Sequence, residues 1–169
     1  VAVPLDALLG PEGKGFGCLK KTLFYGRTGL AAAVVGTAQA AVDAAVAHAS
    51  DRRQFGQPIG GFQALAHRLA IMQTKVDQAR LLLRNLAWAI DEGEDCTRLA
   101  AQAKWVATET LKRVTEEGMQ IMASAGYAAD SDMQRYWRDA RLYTFGEGSS
   151  EIQLDLIARD MGLGRALCP

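Results

Sequence analysis

Between Phe62 and Ile90, apolar residues recur in unbroken steps of three and four: Phe62, Leu65, Leu69, Met72, Val76, Ala79, Leu83, Leu86 and Ile90. An α-helix turns once in 3.6 residues, so this alternation puts all nine side chains on one stripe over about four heptads. A strand, with its period of two, would scatter them over both faces. The pattern stops at Asp91-Glu92-Gly93, a natural helix end. A helix of this length spans about 40 Å at 1.5 Å per residue, so its seam needs equally long partners.

The sequence supplies partners on both sides. From about Cys18 to Ser50 it is alanine-rich and helix-compatible, with Leu23, Leu30, Val34, Thr37, Ala41 and Ala44 at the same spacings. Gly29, Ala33, Gly36 and Ala40 form a second face, small enough for another helix to approach closely. A third helix is expected from Thr97 to about Ser124, with Leu99, Ala103, Val106, Thr110, Val114 and Ile121 along one side and Gly118 as a mild interruption. Two shorter helices follow. One covers 131–143 with Met133, Tyr136, Trp137 and Ala140 at spacings of three and four, and the other runs from Glu151 to about Leu163 with Ile152, Leu156, Ile157 and Met161 as its buried stripe. Ser131 with Gln134, and Ser150 with Gln153, fit the S-x-x-Q capping box. The expected fold is all-α, an up-down four-helix bundle with an extra short helix.

Composition narrows the function classes. The 169 residues suit one domain with its own core. Nineteen basic residues balance nineteen acidic ones, so no charge excess calls for nucleic acid. No apolar run of about 18 residues escapes a charge or a glycine, and no membrane span is expected. Cys18, Cys96 and Cys168 are odd in number and lack metal spacing, which suits reduced thiols in the cytoplasm. His48 and His67 have no partner at ligand spacing, so no metal is expected. The chain opens VAVPLDALL, without an initiator Met or signal peptide.

Two stretches carry chemistry. In RDARLYTFGEGSSEIQ, residues 138–153, Glu147 stands between Gly146 and Gly148 on a hinge just before a helix N-terminus. The flanking glycines leave its carboxylate uncrowded, and the helix dipole favours Glu151 in the first turn. Alone, such an acid is more often an exposed loop residue than a catalyst. The loop DRRQFGQPIGGFQ, residues 51–63, is a basic turn around a buried aromatic. The glycine-rich GPEGKGFG at 10–17 lacks the Lys-Ser/Thr ending of a phosphate loop.

Taken together, these stretches resemble the C-terminal domain of the acyl-CoA dehydrogenase family. There, Arg-Asp-Ala, a few residues, then Glu-Gly-Thr/Ser and an Ile-Gln helix carry the catalytic base, as RDARLYTFGEGSSEIQ and IARD at 157–160 do here. RRQFGQPI at 52–59 is similar to the family's R-x-x-F-G-x-x-I, and VPLDALLGPEGKGF to its linker from a β-barrel domain. QIMASAGY is similar to Q-x-x-G-G-x-G-[FY] at Gln120, Gly126 and Tyr127, with Ala123 and Ser124 in place of the glycine pair.

The resemblance implies that residues 1–17 link from a β-barrel domain, 18–165 form the helical domain and 166–169 a tail. It implies oxidation of an acyl-CoA thioester to the α,β-enoyl thioester, Glu147 removing the α-proton and FAD accepting the β-hydride. Donors to the thioester oxygen would be a flavin ribityl hydroxyl and the backbone N–H of Glu147. Arg52, Gln54 and Phe55 would meet the FAD of a neighbouring subunit and Gln120 and Ser124 its adenosine half. Ser149 and Glu151 would contact the FAD of the same subunit, while Arg27 and Gly148 would meet the acyl-CoA. Guanidinium at position 52 suits the pyrophosphate, which it can grip in a bidentate way.

Some relatives carry an Asp three residues before the arginine, where this chain has Phe24, and others place the base immediately before it, where this chain has Gly26. Glu147 is then the candidate base. A homo-oligomer, dimer or tetramer, with FAD at its interface and an electron-transferring flavoprotein as electron acceptor are implied. The chain by itself is expected not to turn over substrate. An acyl-carrier-protein-linked dehydrogenase and a non-catalytic helical oligomerisation domain are the alternatives.

Overall fold

The computed structural model describes residues 2–164. Cys168, Arg165 at the expected end of the bundle, and the 166–169 tail lie outside the described residues. After a short 3-10 turn at Leu5–Ala7, helix α1 runs Gly15–Asp51. A minimal antiparallel hairpin, β1 (Arg53–Gln54) and β2 (Gln57–Pro58), and a 3-10 turn at Ile59–Gly61 lead into α2, Gln63–Asp91. Helix α3 follows at Thr97–Met122, then a single turn α4 (Ser124–Tyr127), α5 (Asp132–Tyr143) and α6 (Ser150–Asp160).

Three long helices run up, down and up, and α5 and α6 pack on α3 to complete the bundle. The core is built from small residues on α1, including Ala31, Ala38, Ala41 and Ala45, against larger ones on its neighbours, including Met72, Val76, Leu111 and Met133. Small against large lets the axes approach while side chains interdigitate. Every member of the α2 seam is at least half withdrawn from solvent, and Met72, Val76, Ala79 and Leu86 are buried. Leu86 joins Ala89, Cys96, Ala100 and Ala103 in a second cluster at the α2–α3 turn.

Four expectations need correction, and one a qualification. First, the face of α1 bearing Gly29, Ala33 and Gly36 is exposed, and a Cβ at either glycine would touch nothing within 4 Å. The qualification comes second: α1 is long and apolar enough to cross a membrane by length and composition, its charge and glycine breaks notwithstanding. Its apolar stripe from Ala31 to Ala49 is, however, buried in the bundle. Third, α6 buries Gln153 rather than an apolar stripe, and Ile152 and Met161 are 38% and 63% exposed.

Fourth, the capping boxes are not made. Ser131 accepts from Met133 N, but Gln134 donates to the Ala129 carbonyl instead of turning back. The cap of α6 is Ser149, whose hydroxyl accepts from Ile152 N, while Ser150 donates to Glu109 on α3. Fifth, Phe55 is not buried but 90% exposed at the hairpin tip.

Candidate active site

The hinge between α5 and α6 is a turn held from below. Tyr143 ends α5, and Phe145 and Gly146 close back on the Leu142 carbonyl. Glu147 then takes φ 56° and Gly148 φ 95°. Gly146 is thus an ordinary residue, and the left-handed conformation falls on the glutamate itself. Such a conformation is uncommon for a residue with a Cβ and persists only where neighbours enforce it.

The enforcement is visible. The Glu147 carbonyl accepts from Arg27 Nε at 3.2 Å and from Gln153 Nε2 at 3.3 Å. The Gly148 carbonyl accepts from Lys104 Nζ at 2.8 Å and from Gln153 Nε2 at 3.0 Å. The Thr144 carbonyl accepts from Ser150 N at 2.9 Å and from Lys104 Nζ at 3.3 Å. Three helices thereby tie down the hinge's oxygens, while the Glu147 N–H has no acceptor among the described residues. At Gly148 a Cβ would lie 2.8 Å from Gln153 Nε2, so glycine is required there by space as well as by φ.

The Glu147 carboxylate lies on α1 at Gly26. A Cβ on that glycine would come within 2.6 Å of Oε2 and 2.8 Å of Cδ. The missing methyl is the seat of the acid. Among the described residues the carboxylate makes no ion pair. Arg27, the next residue on α1, is half-buried; burial draws its guanidinium below the usual arginine value, and Glu147 opposes the shift. Glu151 is exposed in the first turn of α6. The Ser149 hydroxyl, then its own backbone N–H, hold its carboxyl below the usual range, with Arg141 and Lys104 adding to the effect.

The other candidate residues sit elsewhere. Arg27 lies about a third of the way along α1 and Arg52 just past its end, and 25 residues of helical rise put them roughly 35 Å apart. Arg52 caps the end of α1, its N–H on the His48 carbonyl, and its guanidinium has no partner among the described residues. Gln54 closes β1 opposite Gln57. Phe55 and Gly56 form the two-residue turn with φ 53° and 84°, the both-positive pattern of a tight hairpin. The Phe55 ring meets Phe62 edge-on at 6.1 Å and otherwise faces solvent. Gln120 in the last turn of α3 and Ser124 at the start of α4 are both exposed, and because α3 runs parallel to α1 they lie near the same pole.

Beside them Ala123 takes φ 50° and ψ −132°, the angles of the first corner of a type II′ turn, where glycine is preferred. Ala123→Gly should therefore raise stability by about 1 kcal/mol, relief of backbone strain exceeding the added chain entropy. Thermal unfolding checks this, and a lowered melting temperature would contradict it.

Three contributors to the hinge were not legible as such. Lys104 reads as one more surface lysine, although its setting, AAQAKWVAT, is apolar. Gln153 reads as a cap. Gly26 reads only as a position lacking an acid.

The C-terminal-domain family of the acyl-CoA dehydrogenases matches residues 13–162 of the chain. The chain belongs to the acyl-CoA dehydrogenase family. A probable acyl-CoA dehydrogenase of Bacillus subtilis is 44% identical over 95% of this chain and 42% of its own length. The caffeyl-CoA reductase–Etf complex subunit of Acetobacterium woodii is 39% identical over 94% of this chain and 42% of its own. The structure of butyryl-CoA dehydrogenase from Megasphaera elsdenii superposes with a TM-score of 0.92 at 38% identity, over 95% of this chain and 42% of that one. The chain thus spans less than half of the acyl-CoA dehydrogenase relatives it matches.

Proposed function

We propose that this chain is the C-terminal helical domain of a cytoplasmic, FAD-dependent acyl-CoA dehydrogenase in which Glu147 removes the α-proton of an acyl thioester. The observation that carries this reading is the Glu147 hinge. Its carboxylate is unpaired and seated on Gly26, and its carbonyls are tied inward by Arg27, Lys104 and Gln153. An α-proton beside a thioester is weakly acidic, so a base must be held within hydrogen-bond reach of it. The carboxylate takes that proton at an oxygen, and the Glu147 N–H, which has no acceptor among the described residues, donates to the thioester oxygen as negative charge builds there. Arg27 fixes the hinge through the Glu147 carbonyl and lines the acyl-CoA side together with Gly148. FAD, when bound, supplies the acceptor for the β-hydride.

The residues present fit that cofactor. Arg52 offers an unpartnered guanidinium for phosphate, and Phe55 presents an exposed ring on a strained residue. Gln54, Gln120 and Ser124 add polar groups at the same pole, whereas Ser149 and Glu151 belong with the base. Because the two sets lie roughly 35 Å apart along α1, they serve different flavins. This favours a homo-oligomer, dimer or tetramer, in which each FAD meets Glu147 of one subunit and Arg52 of another. An electron-transferring flavoprotein is the proposed electron acceptor, in keeping with the complex named for the Acetobacterium relative. The test is anaerobic addition of a short-chain acyl-CoA to the full-length protein carrying this chain. Loss of the oxidised flavin absorbance with formation of enoyl-CoA is expected, and a flavin unchanged by a series of acyl-CoA lengths would overturn the reading.

A further inference from the structure

Lys104 is the bulkiest wholly buried side chain among the described residues. Its ammonium has no carboxylate partner there and is satisfied by two carbonyls, Thr144 at 3.3 Å and Gly148 at 2.8 Å. Neither carbonyl depends on it. Thr144 also receives Ser150 N, and Gly148 receives Gln153 Nε2. An ammonium taken out of water for two such bonds costs stability, and an apolar side chain of like volume would pack there at least as well. Stability therefore does not explain the charge.

What the charge does is visible in where its bonds fall. They reach the carbonyls on either side of Glu147, four residues apart, from the core side of the turn. We propose that Lys104 is a positioning residue for the catalytic base: it draws the two ends of the hinge inward and so holds Glu147 in its left-handed conformation, its carboxylate against Gly26 and its N–H without an acceptor among the described residues. The inference rests on the function proposed above.

The charged groups facing Lys104 are Arg27 from α1, Glu109 from α3, Glu147 from the hinge and Glu151 from α6. Burial first, then Arg27, lowers the lysine from 10.5 to about 8, with the three acids opposing. The clamp is thus charged at neutral pH and loses its charge as pH rises through about 8. Because the folded value lies below the unfolded one, the unfolded chain binds the extra proton between about 8 and 10.5. The lysine's cost to stability is full below that window and fades as pH rises through it.

The test compares Lys104→Met and Lys104→Arg with the parent in the full-length, FAD-loaded protein. Lys104→Met should fold, bind FAD and melt at or above the parental temperature at pH 7, the difference narrowing as pH rises. Its kcat should fall about tenfold with little change in KM, as a small misplacement of a base produces. The alkaline decline of parental kcat, centred near pH 8, should be absent from it. Lys104→Arg, which keeps the charge, should recover part of kcat and show no decline near pH 8. A Lys104→Met enzyme with parental kcat and pH profile would overturn the proposal. So would one that melts below the parent at pH 7 and loses activity only in proportion to lost flavin, since Lys104 would then be structural. A parent that oxidises no acyl thioester would overturn the functional reading and this inference with it; an active parent with an unaltered variant overturns this inference alone.

Discussion

Glu147→Gln in the full-length protein should lower acyl-CoA oxidation by at least roughly 10^2- to 10^4-fold, the usual contribution of a positioned general base, while FAD stays bound. The substitution keeps the side chain's length and removes only its ability to take a proton. Nothing else in the hinge should move, because every bond that Arg27, Lys104 and Gln153 make there goes to a backbone carbonyl. The carboxylate makes no ion pair among the described residues whose loss could unsettle the fold. The residues proposed to grip a neighbour's FAD lie at the C-terminal end of α1, roughly 35 Å along it from Arg27. The measurement is single-turnover reduction of the flavin by acyl-CoA, with the visible spectrum reporting bound FAD. A helical domain that serves only to assemble subunits predicts parental turnover in this variant, and that result would remove Glu147 from the chemistry.

The helices and the turn that carries Glu147 were legible in the sequence for a shared reason: both signals are local. A period of 3.6 is a property of the residues in the helix itself, so the α2 stripe from Leu65 to Ile90 marks the buried side without knowledge of the partner. Glycines beside Glu147 likewise announce a turn. The support of that turn was not legible, because it comes from Lys104 and Gly26, 43 and 121 residues away. The buried side of α3 also holds Lys104, Thr108, Leu111 and Thr115, a polar-containing row that an apolar-only stripe passes over. The α6 stripe failed in the same way. That helix lies against the hinge, where carbonyls must be met, so its buried residue is Gln153, while Ile152 and Leu154 turn outward and Leu156 and Ile157 are only half-buried. Where a segment packs on irregular backbone, hydrogen-bond demand outranks hydrophobicity.

Gly26 lends itself to a sharper test than any of the hinge's polar supports. Alanine is favoured over glycine within a helix by about 1 kcal/mol, and Gly26 has no left-handed backbone that a Cβ would strain. Gly26→Ala should accordingly be neutral or stabilising in thermal unfolding. The new methyl would nevertheless stand 2.6 Å from Glu147 Oε2 and 2.8 Å from Cδ, closer than contact allows. The tip of a flexible side chain yields before a helix axis does, so the carboxylate should leave its seat by about an ångström. A shift of that size at a reacting group costs on the order of 10^2-fold, and kcat/KM for the acyl-CoA should fall by about that factor in a protein at least as stable as its parent. Combining Gly26→Ala with Glu147→Gln should add almost nothing to the loss from Glu147→Gln alone, because the methyl acts only through the carboxylate. Two independent, additive losses would mean that Gly26 serves the site in some other way. Full activity in Gly26→Ala would mean that the base works from a position other than the one it occupies against α1.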